Sequence, residues 1–151
     1  MALTCGEGGS TGAQIVATIN NNTDAIDAMA GFHYISNAGQ LDLPETYTTV
    51  ASLDVTDLPA GIYILNITST YQLDLVNKSV FTQFTLNAGT PEEFRKEPKD
   101  NTDRDAFSYA FPYTHSASTD FHCSLDFRKE DTNGTLDVLF ANIWLDRKTA
   151  I

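Results

Sequence analysis

The sequence predicts a mainly β fold: a jelly-roll-like antiparallel β-sandwich preceded by a short N-terminal α-helix. Three observations carry that expectation. Apolar and polar residues alternate at period two through most of the chain after Phe32. Clusters of Gly, Pro and Asn interrupt the alternation where turns are needed. Ahead of Gly31 the apolar residues recur instead at helical spacing. A chain of 151 residues is long enough for one domain with a real core. The expected organisation is a docking arm over 1–10, an oligomerising helix over 11–30 and a β-sandwich domain over 31–151.

The arm carries Gly6, Gly8 and Gly9 and no apolar periodicity, so a partner is expected to give it order. Ser10 or Thr11 can cap the helix and Gly31 can end it. Its apolar positions are Ile15, Ile19, Ile26 and Met29, and Asn22 completes a 4-3-4-3 seam. Ile19 and Ile26 then occupy a positions, and Ile15, Asn22 and Met29 occupy d positions. One polar residue in such a layer fixes register and strand number at some cost in stability. A helix of about 20 residues gains little stability alone, so self-association is the expectation and packing on its own domain the alternative.

From Phe32 onward the strands can be taken in order. Phe32 to Ser36 is short, and Thr48 to Val55 places Ala51, Leu53 and Val55 on one face. The turn Leu58-Pro59-Ala60-Gly61 opens the longest alternation, Ile62 to Leu73. There Tyr63, Leu65, Ile67, Tyr71 and Leu73 point one way, and Asn66, Thr68, Thr70 and Gln72 the other. Val80, Phe84 and Leu86 repeat the pattern, closed by Asn87-Ala88-Gly89. Thr90 to Asp105, dense in charge and holding Pro91 and Pro98, is expected to be a mobile surface loop. Phe107, Tyr109, Phe111 and Tyr113 form one aromatic-rich strand; Phe121, Cys123, Leu125 and Phe127 form the next. Asn133-Gly134 is a type I′ hairpin signal leading into the last strand, Thr135 to Arg147. Seven or eight strands suit a sandwich.

That last strand is apolar on both sides. Val138, Phe140 and Trp144 fall on one, and Leu139, Ala141, Ile143 and Leu145 on the other. A sandwich strand has one core face, so the second is expected to meet a neighbouring subunit or, as the alternative, the chain's own helix.

Charge narrows the partners. Twenty acidic against nine basic residues give a net charge of -11, which excludes the clustered cations that nucleic-acid binding needs. All nine basic residues lie between Lys78 and Lys148, so the acidic first half either forms solvated loops or docks on a partner. No apolar run reaches membrane-spanning length, and the first residues lack the pattern of a secretory signal, so a soluble chain not exported by that route is expected. Cys5 and Cys123 are expected as two free thiols, and the Asn-x-Ser/Thr sequons at Asn21, Asn66, Asn77 and Asn133 carry no weight without export.

Catalytic chemistry is poorly represented. His33, His115 and His122 show no metal spacing, and the glycines near Ser10 form neither a phosphate loop nor a nucleophile elbow. Carboxylate pairs such as Asp54 with Asp57 or Glu130 with Asp131 are expected by chance in so acidic a chain. Asp100 to Asp105 lacks the order of a calcium loop. The aromatic row from Phe107 to Tyr113 is more simply a core face than a stacking platform for sugar rings. No enzyme, cofactor or metal is expected.

The segment from Ser10 to Asp27, STGAQIVATINNNTDAID, resembles the short trimerising helices that open many tailed-bacteriophage fibre, head-fibre and decoration proteins. Leu58 to Thr68, LPAGIYILNIT, and Phe140 to Arg147, FANIWLDR, are similar to strands of phage trimeric jelly rolls with a tumour-necrosis-factor-like arrangement. The resemblance implies a homotrimer on a virion, with other virion proteins of the capsid or tail as partners and no nucleic acid or membrane. The interface would then comprise Ile15, Ile19, Asn22, Ile26, Met29, Val138, Phe140 and Trp144, and particle docking would fall to Leu3, Thr4, Cys5 and Gly6. The chain has no shaft repeats, which favours a short knob near the particle. The alternative is a receptor- or glycan-binding tip of a tail fibre, recognising a host-surface glycan.

Overall fold

The computed structural model describes residues 32–100, 102 and 104–150. The expected docking arm and oligomerising helix, with every candidate residue from Leu3 to Met29, lie outside the described residues. Eight strands follow: β1 (Phe32–Asn37), β2 (Thr48–Leu58), β3 (Gly61–Leu73), β4 (Val80–Leu86), β5 (Glu92–Lys96), β6 (Asp105–His115), β7 (Thr119–Lys129) and β8 (Leu136–Ala150). They build two four-stranded sheets, ordered β1-β8-β3-β6 and β2-β7-β4-β5. The pairing is nested and antiparallel throughout: β1 with β8, β2 with β7, β3 with β6 and β4 with β5. Two further pairings, β3 with β8 and β4 with β7, close the sheets. This is a mainly β, antiparallel two-sheet sandwich.

The core lies between the sheets and follows the alternation of the sequence. On β3 the buried side chains are Tyr63, Leu65, Ile67, Ser69, Tyr71 and Leu73, at every second position. From the opposite sheet come Leu53, Phe84, Phe121, Cys123, Leu125 and Phe127, all nearly inaccessible. Each such side chain contributes on the order of 1.5–3 kcal/mol by leaving water. Cys123 is a free thiol inside this core, where burial pushes its pKa up to about 12.

Three local expectations are corrected. The charged segment after Thr90 contains a strand rather than only a mobile loop: β5 pairs with β4 from Val80↔Lys96 to Phe84↔Glu92. One apolar side chain, Phe94, seats it against Phe84, with ring centroids 6.0 Å apart. Secondly, Asn133-Gly134 does not form a tight hairpin, because β7 and β8 belong to different sheets and the chain crosses between them there. Of that pair Gly134 alone takes a positive φ, +80°. The buried Lys129 ammonium donates to the Gly134 carbonyl at 2.7 Å and lies 3.4 Å from the Asp42 carboxylate, holding the crossing in place.

The third correction concerns β8. Relative to β3 its register slips by one residue, Thr70 facing Phe140 but Tyr71 facing Val138, so Leu139 is extra. The slip turns Val138 into the core at 0% exposure, away from Phe140 and Trp144, with which an unbroken alternation groups it. Gly39 and Gln40 brace this bulge. Gln40 and Val138 exchange backbone hydrogen bonds of 2.8 and 2.9 Å. Gly39 sits at φ +91°, where an added Cβ would lie 2.2 Å from the Val138 carbonyl oxygen.

Gly39→Ala therefore meets both an unfavourable backbone conformation and a backbone clash. It should lower unfolding free energy by about 2–4 kcal/mol in urea titration. A change within about 0.5 kcal/mol would show that the brace is not needed.

Candidate interaction surface

The bulge at Leu139 leaves a defined set of side chains on the outer face of the β1-β8-β3-β6 sheet. From β1 these are Phe32, Tyr34 and Ser36, and from β8 Phe140, Asn142, Trp144 and Asp146. β3 contributes Ile62, Ile64, Asn66, Thr68, Thr70 and Gln72, and β6 contributes Ala106, Ser108, Ala110, Pro112 and Thr114. The strand register aligns them in rows. Tyr34, Trp144, Asn66 and Ala110 form one row, and Ser36, Asn142, Thr68 and Ser108 the next.

Two properties distinguish this face. It carries no charged side chain between Asp137 near one end and Asp146 near the other. It also exposes large apolar groups: Phe32 at 55%, Tyr34 at 54% and Phe140 at 42%. Phe32 stacks on Tyr34 with ring centroids 6.5 Å apart. The Tyr34 hydroxyl donates to the Asn142 Oδ1 at 3.3 Å, and the Asn142 amide reaches Thr68 Oγ1 at 3.5 Å. At the β6 edge every outward residue is small or is Pro112, so a flat partner could approach the backbone closely. Pro112 also removes one donor from that edge.

The outer face of the other sheet is built oppositely. The Arg128 guanidinium lies 3.7 Å above the Phe81 ring centroid and 5.0 Å from that of Tyr47. Asp126 accepts from Thr49 at 2.7 Å and from Gln83 at 3.1 Å. Tyr47 bonds Glu93, and burial, then this bond, raises its pKa to about 12. His122 points outward beside the buried Cys123, its Nδ1 2.6 Å from Asp54 Oδ1. This contact, with a second from Ser52, holds the Asp54 carboxyl below its usual range. Charges so well partnered and hydrated make a solvent face.

The residues weighed for catalysis are placed in structural roles. Asp54 pairs with His122, while the Asp57 amide donates to Asp120 at 3.0 Å. Glu130 accepts from the Ser79 amide at 2.7 Å. Asp131 meets Lys78 at 2.8 Å and accepts from the Asn133 amide at 3.0 Å. His115 is buried, with Nδ1 3.1 Å from the Tyr113 hydroxyl and Nε2 3.2 Å from the Thr119 carbonyl, and fastens the β6–β7 turn. Among the described residues no group of three or more His, Cys, Asp or Glu side chains could hold a metal ion. The aromatic row of β6 points between the sheets rather than outward, half-buried against Phe84 and Phe94.

No family model matches the chain, and no curated protein matches it. Solved structures do. Infectious bursal disease virus, Gx strain, matches 77% of this chain and 32% of its own at 8% identity, with a TM-score of 0.48. Eiger TNF from S. frugiperda matches over 81% and 88% at 11% identity and a TM-score of 0.43. A pentameric capsid protein isolated from metagenomic phage sequences matches over 99% and 82% at 11% identity and a TM-score of 0.34. The chain spans about a third of the bursal disease virus chain it matches. Viral proteins are thus among its structural neighbours, at identities and scores too low to transfer a function.

The Lys78 pairing holds the Asp131 carboxyl down at about 2, below the ordinary aspartate value of 3.8. A depressed carboxyl stabilises the fold above its unfolded pKa and loses that contribution as pH falls through the folded one. Asp131→Asn should therefore flatten the acid limb of the stability profile between about pH 4 and pH 2. An unaltered acid limb in pH-resolved urea unfolding would remove Asp131 from that role.

Proposed function

We propose that the chain is a structural component of a bacteriophage virion, a homotrimeric decoration or head-fibre protein docked through residues 1–10. The observation that carries this reading is the outer face of the β1-β8-β3-β6 sheet, free of charged side chains between Asp137 and Asp146, with Phe140 and Trp144 on its strand β8. A monomer in water gains nothing from exposing the three large apolar groups Phe32, Tyr34 and Phe140 on one face, whereas copies related by symmetry hide them mutually. The nested pairing β1–β8, β2–β7, β3–β6 and β4–β5 supports the jelly-roll part of the reading, since it is the winding of a double-sheet jelly roll. The resemblance of residues 10–27 to trimerising phage helices supplies the number three.

In this reading Phe140 and Trp144 meet a neighbour, Ile15 to Met29 set three-fold register, and Leu3 to Gly6 contact the particle. Val138 takes no direct part, being inside the sandwich.

Native mass spectrometry of the full chain should give three copies. Trp144→Glu should shift the population to monomers with the fold retained, because a buried unpaired charge costs several kcal/mol per site. Deleting residues 1–10 should leave the trimer intact and abolish its attachment to the particle. A wild-type chain that stays monomeric at high concentration refutes the assembly, and attachment without residues 1–10 refutes the arm.

A further inference from the structure

Where β5 and β6 run as facing edges, Phe94 meets Phe107 and Tyr109 and Lys96 meets Asp105, and space remains around these contacts. Two cavities lie along this gap, of about 300 and 310 Å³, and Tyr109 lines both. The first is walled by Phe94, Phe107 and Tyr109, the latter two with ring centroids 5.1 and 5.2 Å from that of Phe94. The second continues past Tyr109 to Phe84 and Phe111, with Glu92 and Thr90 at its rim.

Polar groups in the first cavity are unused by the fold. Tyr71, 2% exposed, and Thr82, 3% exposed, both line it, and neither hydroxyl makes a hydrogen bond among the described residues. Neither oxygen is among the buried polar atoms left without a partner, so both hydroxyls open to the cavity, where a ligand can bond them. Burial and the nearby Asp105 carboxylate both raise the Tyr71 pKa, so it is a neutral hydroxyl able to donate and accept. Across the mouth Lys96 Nζ meets Asp105 Oδ1 at 2.5 Å, bridging β5 to β6. The pair cancels its own charge while leaving both groups able to bond further.

We infer that this cleft binds a neutral saccharide, one pyranose ring in the Tyr71 chamber and the next beyond Tyr109. A pyranose presents C–H faces that suit the Phe94, Phe107 and Tyr109 rings, and hydroxyls that suit Tyr71, Thr82, Lys96 and Asp105. A plain hydrocarbon would leave the two floor hydroxyls unpaired, and a strongly charged ligand would compete with the Lys96–Asp105 and Arg95–Glu130 pairs that already hold the charges at the cleft. Each cavity is at the small end of the range for ligand sites, the size of one ring. The cleft meets the outer face assigned above to assembly only at Ala106 and Ser108 on the β6 edge, and the hydroxyls and rings it uses face between the sheets, so glycan binding and oligomer mass can be read separately.

The test uses the full chain on an array of neutral and acidic glycans, followed by calorimetric titration of the strongest neutral binder. The cleft should retain a neutral glycan. Tyr71→Phe, which removes the hydroxyl and keeps the packing, should weaken it about tenfold. Phe107→Ala should abolish binding, with thermal unfolding still cooperative and the oligomer mass unchanged. An array with no neutral binder, retention of acidic glycans alone, or affinity indifferent to Tyr71→Phe would overturn the assignment.

Discussion

The extra residue at Leu139 sets which side chains of β8 meet the core and which meet the outside. Had β8 kept strict alternation past Val138, the valine would share a face with Phe140 and Trp144. The slip instead inserts Val138 beside Ala141, Ile143 and Leu145 in the core and projects Phe140, Asn142 and Trp144 outward. Gln40 holds it there by exchanging backbone hydrogen bonds with Val138, and Gly39 allows the close approach this needs. That one step in register keeps Val138 in the core while Phe140, Asn142 and Trp144 stay on the outer face on which the assembling reading rests.

The two outer faces of the sandwich have the same backbone geometry and opposite chemistry. Glu93, Asp54 and His122 keep one hydrated, and the Asp54–His122 pairing contributes little stability because exposed ion pairs are screened. The other face carries Phe32, Tyr34, Phe140 and Trp144 beside Thr, Ser, Asn and Ala. Burying an exposed aromatic side chain is worth on the order of 1.5–3 kcal/mol, whereas association loses roughly 4–15 kcal/mol of rigid-body freedom. One or two rings are therefore not enough. The small residues on β6 matter because they let the full width of the sheet contribute area, and a helix seam upstream would supply the rest.

Most of the sandwich is legible in the sequence wherever burial on one face imposes the two-residue period. β3 is the clearest case, its inward set from Tyr63 to Leu73 lying where the alternation puts it. β5 is hidden because Glu92-Glu93-Phe94-Arg95-Lys96 has one apolar residue, and an edge strand needs no more than that. Asn133-Gly134 misleads because turn chemistry is local, whereas whether the flanking strands pair is decided by the distant partners β3 and β4. Phe140 and Trp144 stand out in the sequence as surplus apolar residues on a strand whose other side already supplies the core. The rows joining them to Asn66, Thr68, Ser108 and Ala110 do not, since each residue is unremarkable until the register aligns it. The cleft between β5 and β6 is invisible for the same reason: the aromatic row reads as core, and the missing partners of Tyr71 and Thr82 exist only in three dimensions.

Trp144 is the sole tryptophan of the chain and stands on the face in question, so its fluorescence reports coverage of that face directly. Acrylamide quenching measured across a dilution series, alongside the mass of the species present, is the decisive measurement. If copies of the chain cover the face, Trp144 is shielded at high concentration and becomes quenchable as the assembly dissociates. Quenching that stays constant over the series while the mass remains that of one chain would contradict the account.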